Sequence, residues 1–138
     1  MRATRVRNTL GNEKGQNLVE FALVVPLLLL LVIGIAELGR AWMTKNILTG
    51  AAREAVRMYA VKNDTAAATG RADNVLRSAS LDPARWTITP VPDTAGDRML
   101  GYRIDYLFPV TIAGFIPGLS GISIPLSSRT TMRREWDS

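Results

Sequence analysis

The sequence contains neither cysteine nor histidine. The first absence removes a disulfide framework, a thiolate metal site and a lipidated-cysteine anchor. The second removes the commonest general base and the commonest metal ligand. Charge is missing as well, in one stretch above all. From Phe21 to Ala36 the chain reads Phe-Ala-Leu-Val-Val-Pro-Leu-Leu-Leu-Leu-Leu-Val-Ile-Gly-Ile-Ala, without an Asp, Glu, Lys or Arg. The five consecutive leucines, Leu27 to Leu31, place apolar side chains on every face of a helix, which argues against the one-sided pattern of a soluble core helix. A secretory signal peptide fits the basic start, but its apolar stretch is shorter. The small-residue exit available here, Gly39-Arg40-Ala41, also carries a charge.

The apolar run therefore reads as one membrane-spanning helix. Its sixteen residues cover about 24 Å, somewhat less than the ~30 Å hydrocarbon core. Leu18 and Val19 extend it on one side. Leu38, Ala41, Trp42 and Met43 extend it on the other, where Trp42 suits the far headgroup level. Glu37 and Arg40, three residues apart, are placed to face each other at that boundary. Pro26 removes the hydrogen bond to the Ala22 carbonyl and predicts a kink that a membrane helix tolerates. That kink is either a soft point for extraction and packing or neutral.

Charge outside the run sets orientation and excludes one class of partner. Arg2, Arg5, Arg7 and Lys14 precede it, opposed by Glu13. Arg40, Lys45, Arg53, Arg57 and Lys62 are spread more thinly after it. The positive-inside bias leans towards a cytoplasmic N-terminus, giving a single-pass inner-membrane protein with its C-terminal part outside the cytoplasm. The formal net charge is +5 over 138 residues. Without residues 1–15 it falls to +2, thirteen basic against eleven acidic residues. The basicity is largely a property of the leader, and no nucleic-acid partner is expected.

No catalytic constellation is present. Glu20 and Glu54 lie far apart on one helix, and Asp93 and Asp97 fall in a turn-like segment, where such residues serve conformation. Neither a calcium loop nor a phosphate-cradling glycine loop occurs. The chain is expected not to be an enzyme and to need no cofactor or metal.

Beyond the membrane the helical period persists. Leu38, Ala41, Trp42, Leu48, Ala52, Ala55, Val56 and Tyr59 recur at spacings of three and four. One helix is predicted from about Asn17 to about Val61, about 65–70 Å by rise per residue, with this stripe seating a sheet. Asn63-Asp64-Thr65 offers N-cap chemistry for a second helix near Ala66–Ala79, weakened by Gly70 and closed by Leu81-Asp82-Pro83. Trp86-Thr87-Ile88-Thr89 has the strand period, and Pro90, Pro92, Asp93, Gly96 and Asp97 mark a loop. Tyr102, Ile104, Tyr106 and Phe108 alternate with Arg103, Asp105 and Leu107. Ile122, Ile124, Leu126, Ser128, Thr130 and Met132 form a last period-two row. Tyr106 to Ser128 is free of charge over twenty-three residues, so a second span is an alternative. Pro109, Pro117 and Pro125 with Gly114, Gly118 and Gly121 favour strand, loop and strand. The hydrophobic loop Ile112–Leu119 is either a subunit contact or ordinary core. The fold class expected is α+β: a long helix, a short second helix and a small antiparallel three-stranded sheet. The organisation is a basic leader over 1–15, a spanning and spine helix over 16–62, and an extracytoplasmic domain over 63–138.

The most informative stretch is Gly15-Gln16-Asn17-Leu18-Val19-Glu20-Phe21, abutting the apolar run. It resembles the bacterial prepilins, in which a basic leader ends in glycine, a peptidase cuts after it, and the fifth mature residue is glutamate followed by an aromatic. Glycine leaves no side chain in the way of such an enzyme, and a carboxylate at the edge of a membrane helix is costly without a partner. Read without that resemblance, Glu20 is an interfacial carboxylate near a helix N-terminus, favoured by the helix dipole. Two further stretches narrow the likeness: Gly34-Ile35-Ala36-Glu37-Leu38-Gly39-Arg40, and Ala51-Ala52-Arg53-Glu54-Ala55-Val56-Arg57. With them the chain is similar to the TadE family of minor pilins or pseudopilins of tight-adherence (Flp-type) systems. Asn17 stands where that family often has serine. The resemblance implies cleavage between Gly15 and Gln16, a register-setting role for Glu20 and Phe21 through the neighbour's freed amine, and assembly of adhesive pili. The implied partners are a prepilin peptidase, other pilin or pseudopilin subunits, the pilus assembly platform and the lipid bilayer, with incorporation into an extracellular pilus. The alternative is an unprocessed single-pass envelope protein whose outer domain binds a ligand.

Overall fold

In the computed structural model of the chain, which describes residues 13–91, 99–115, 118 and 121–133, helix α1 runs from Glu13 to Lys62. It begins four residues before the expected Asn17, because Glu13 and Lys14 are good helix formers. It continues through Pro26 without a break. It stops where Asn63 takes a left-handed backbone (φ 51°) and donates its N–H to the Tyr59 carbonyl at 2.8 Å. Asp64 then returns to an extended conformation and starts α2, Thr65–Ser78. Its Oδ1 accepts from the N–H groups of Ala66 at 2.8 Å and Ala67 at 3.3 Å, satisfying donors that a helix start leaves open. Asp82 does the same for a single 3-10 turn, Pro83–Arg85, accepting from the Ala84 N–H.

Three strands follow: β1 Trp86–Val91, β2 Met99–Pro109 and β3 Ser123–Arg133. They form one antiparallel sheet in the order β1-β2-β3. In the central register, Ile104 lies opposite Ile88 on one side and Ser128 on the other. The α+β class is as the sequence predicted. One strand boundary is corrected. Pro90, expected in a loop, belongs to β1 and pairs with Tyr102. An edge strand tolerates proline because one side of its backbone has no ladder to complete. Pro92, Asp93, Gly96 and Asp97 lie outside the described residues. Within the charge-free stretch from Tyr106 to Ser128, the described residues form strand, a 3-10 turn at Ile112–Phe115, and strand. Among the described residues a single helix, within α1, is long and apolar enough to cross a membrane.

The chain divides into two compact units, Met1–Ala36 and Glu37–Ser138. In the first, the described apolar side chains have no protein cover: the most hydrophobic stretch is 0% buried. The second has its own core. Leu48, Ala51, Ala52, Ala55 and Val56 of α1 meet Ala68, Ala72 and Leu76 of α2 and Tyr102, Ile104, Tyr106 and Phe108 of β2. The three α1 alanines keep that face thin, and the large β2 side chains fill the opposing layer, so small meets large as close packing requires. The seat on α1 uses Leu48, Ala52, Ala55 and Val56 as expected, with Ala41 and Tyr59 packed against it, but two of the expected residues lie outside it. Leu38 and Trp42 are about 70% exposed, and Thr44 is buried instead. The period-two row of β3 has the right phase, but only Ser128 is buried in it, while Ile124 and Met132 stay exposed. On an outer strand the helix covers the middle and leaves the ends open. Two polar staples hold that middle: the Lys45 ammonium donates to the Ser127 carbonyl, and the hydroxyls of Thr49 and Ser128 lie 2.9 Å apart.

Gly101 sits where the neighbouring strands leave no room for a side chain. A Cβ there would stand 2.9 Å from Thr131 Cγ2 and 3.1 Å from Val91 Cβ. Gly101→Val is therefore expected to destabilise the second unit by about 1–3 kcal/mol through overpacking, and Leu48→Ala by about 2–5 kcal/mol through a cavity. Denaturant unfolding in detergent, followed by tryptophan fluorescence, measures both.

Burial pushes the Tyr102 phenol above its ordinary pKa, with Tyr59 and Asp64 adding to the effect and a hydrogen bond with Thr69 opposing it. The unfolded chain then releases this proton first, so stability is full below the usual tyrosine range of about 10 and falls as pH rises through it. Tyr102→Phe is expected to flatten that alkaline loss, read as the unfolding midpoint at neutral and strongly alkaline pH.

Candidate processing and assembly site

Gly15 and Gln16 are the third and fourth residues of α1, so the candidate scissile bond is helical. It lies in the first turn, where N–H groups have no intrahelical partner and opening costs least. Glycine lowers the cost further, by about 1 kcal/mol relative to alanine. Nothing in the fold requires this glycine, since a Cβ at Gly15 would meet no atom within 4 Å. Its absence of side chain is thus unexplained by packing and is left for a binding event to use.

Gly15, Gln16, Val19, Glu20 and Leu23 line one shallow surface depression, as residues spaced by four and one on one helix face must. The peptide bond and the carboxylate expected to matter are therefore presented together. Glu20 is exposed and has no hydrogen bond or ion pair among the described residues. Phe21 is 68% exposed on the adjoining face. Pro26 is exposed one turn and a half further along α1. Among the described residues no group of acidic side chains is arranged to hold a metal ion.

A second feature sits at the start of the second unit. Glu37 forms the expected ion pair with Arg40, at 2.8 Å. It does more than the sequence indicated. Glu37 Oε1 also accepts from the backbone N–H of Thr111 at 2.9 Å and of Ile112 at 3.2 Å. Arg40 donates to the Thr111 hydroxyl at 2.6 Å and stacks its guanidinium over Phe108, 5.1 Å from the ring centre. One carboxylate thus caps the turn between β2 and β3 and ties it to α1. The i,i+3 spacing revealed the ion pair, but nothing local in the sequence names a turn over seventy residues away as its third member.

The sequence model of TadE-like proteins matches residues 15–57. The chain carries a TadE-like segment. The match associates it with Tad (tight-adherence) pilus systems and is consistent with membrane anchoring through the apolar helix. Neither the curated proteins nor the solved structures yield a match to the chain. The TadE-like segment begins at the candidate cleavage glycine and ends at Arg57, inside α1. It contains Glu20, Pro26, the Glu37–Arg40 pair and the alanine seat, and it stops before α2 and the sheet.

Glu37→Ala would leave the Thr111 and Ile112 N–H groups without their acceptor. It is expected to cost about 1–3 kcal/mol and to speed hydrogen–deuterium exchange at those two amides. Glu37→Gln, which keeps an acceptor oxygen, is expected to recover part of the protection.

Proposed function

We propose that this TadE-like chain is a minor pilin or pseudopilin, cut by a prepilin peptidase between Gly15 and Gln16 and used in assembling Tad pili for surface attachment. The observation that carries the proposal is the family match starting at Gly15, in the first turn of a helix whose apolar side chains have no protein cover. Those side chains need lipid or other subunits as solvent. A basic leader on the cytoplasmic side, a single span and an outer unit beyond Glu37 give the topology.

Cleavage would free an amine on Gln16, one helical turn from Glu20 on the same face. A carboxylate at the lip of the hydrocarbon is stabilised by a cation. Pairing with the amine of a neighbouring subunit would set the axial register of an assembly, with Phe21 packing beside it. The partners are then the peptidase, other pilin-type subunits and the assembly platform. The chain is not an enzyme in this reading; it is a substrate and a building block.

One observation favours a second possibility. The Gly15–Gln16 bond lies within α1, and a protease needs it extended. An envelope protein that keeps its leader, with an outer unit that binds a ligand, would retain this helical start.

The mature N-terminus separates the two. Intact mass and N-terminal sequencing of the chain, isolated from cells that have the peptidase, are expected to show Gln16 as the first residue. Gly15→Leu is expected to keep the leader and abolish piliation, and open space around Gly15 makes misfolding a poor explanation for that result. An intact leader in the unaltered chain, or normal processing of Gly15→Leu, would refute the cleavage assignment.

A further inference from the structure

The span is short and the outer unit begins abruptly. Phe21–Ala36 covers about 24 Å of a ~30 Å hydrocarbon core, and with Leu18 and Val19 extending the run on the other side the outer boundary falls within about one helical turn past Ala36. Glu37 and Arg40 fall in that zone. Both are neutralised by each other, and Glu37 is further satisfied by the Thr111 and Ile112 N–H groups, leaving its side chain 13% exposed. A carboxylate so shielded is suited to the edge of a low-dielectric layer.

The same hydrogen bonds hold the β2–β3 turn at the level of Glu37. The staples fix the rest of β3. Lys45 is bonded to Ser127 and Thr49 to Ser128, so β3 and α1 run in the same direction side by side. Three strand residues back from Ser127 is Ile124, about 10 Å lower. Seven helical residues back from Lys45 is Leu38, about 10 Å lower as well. Ile124 therefore stands level with Leu38, with Ile122 about 7 Å below that level and Trp42 about 6 Å above it. Ile122, Ile124, Leu38 and Trp42 are 43%, 48%, 70% and 71% exposed, a concentration of open apolar surface at one end of the outer unit. Leu107, 50% exposed and beside Phe108, adds to that end.

We propose that this end of the outer unit is a membrane-seated rim. Leu38, Trp42, Ile122 and Ile124 enter the boundary between lipid headgroups and acyl chains, so the sheet rests on the bilayer rather than standing off it on a bare helix. Lipid is the occupant because the patch lies at the first residues after the span. The strand–turn–strand that bears it has no charged residue from Tyr106 to Ser128, and tryptophan is the side chain that the interface favours. The Glu37 clasp is the strut that keeps the rim down.

The chain has no cysteine, so single spin labels report cleanly. Full-length protein carrying Ile122→Cys, Ile124→Cys, Arg129→Cys or Leu30→Cys is reconstituted in phospholipid vesicles. Power-saturation EPR then compares collisions with oxygen and with a water-soluble nickel chelate. Labels at 122 and 124 are expected to show a several-fold higher oxygen-to-nickel ratio than the label at 129, approaching that at 30. Labels at 122 and 124 as open to nickel as 129 would overturn the rim. Labels shielded from both reagents would also overturn it, pointing to cover by a second copy. The proposal rests on Phe21–Ala36 being the span, and a nickel-accessible label at 30 would remove that premise and the rim with it, independently of whether the leader is cleaved.

Discussion

The constraint on which everything else depends is solvation of an apolar helix. Phe21 to Ala36 offers no polar atom outside the backbone, and the fold brings no protein to cover it. In water such a surface would cost on the order of 25 cal/mol per Å² exposed, far beyond what a small domain's marginal stability can offset. Lipid, or apolar helices of other chains, would remove the cost. Glu20 adjoins that run on one side, and a folded unit begins one residue past its other end.

The second unit takes one face of its core from the C-terminal part of α1. Its alanines at 51, 52 and 55 make a thin seat for the large side chains of β2. The tyrosines Tyr59 and Tyr102 meet edge to face, with ring centres 6.3 Å apart. Ends are controlled by single polar residues: Asn63 stops α1, Asp64 starts α2, Asp82 starts the turn into β1. Glu37 extends that pattern across the fold, serving as ion-pair partner and turn cap together.

Much of this is legible in the sequence, for physical reasons that can be named. The unbroken apolar run of sixteen residues marks the span, whereas the longer charge-free stretch Tyr106–Ser128 is interrupted by prolines, glycines and hydroxyl side chains and folds as strand, turn and strand. Alternation in β2 marks its buried face because that central strand has a neighbour on each side and a helix over one face. Alternation in β3 gives the phase but not the burial, since exposure at the ends of an outer strand depends on how far the helix reaches. Leu38 and Trp42 fit the helical period yet face outward. Periodicity ranks hydrophobicity, whereas the sheet selects the face with small residues. Pro90 reads as a breaker because a sequence does not say which strand will be an edge. For the candidate site, Gly15, Gln16, Glu20 and Phe21 are recognisable as a pattern. The helical state of the Gly15–Gln16 bond and the Glu37 clasp are not, since both depend on backbone positions that only the folded chain sets.

The central physical claim is that lipid solvates the first half of α1. Alkaline carbonate extraction of membranes from cells expressing the full-length chain tests it most directly, because that treatment releases proteins held by charge or by docking and retains those with a hydrophobic span. The chain should remain entirely in the membrane pellet and leave it only on addition of detergent. Recovery in the carbonate supernatant as a monodisperse soluble protein would contradict it.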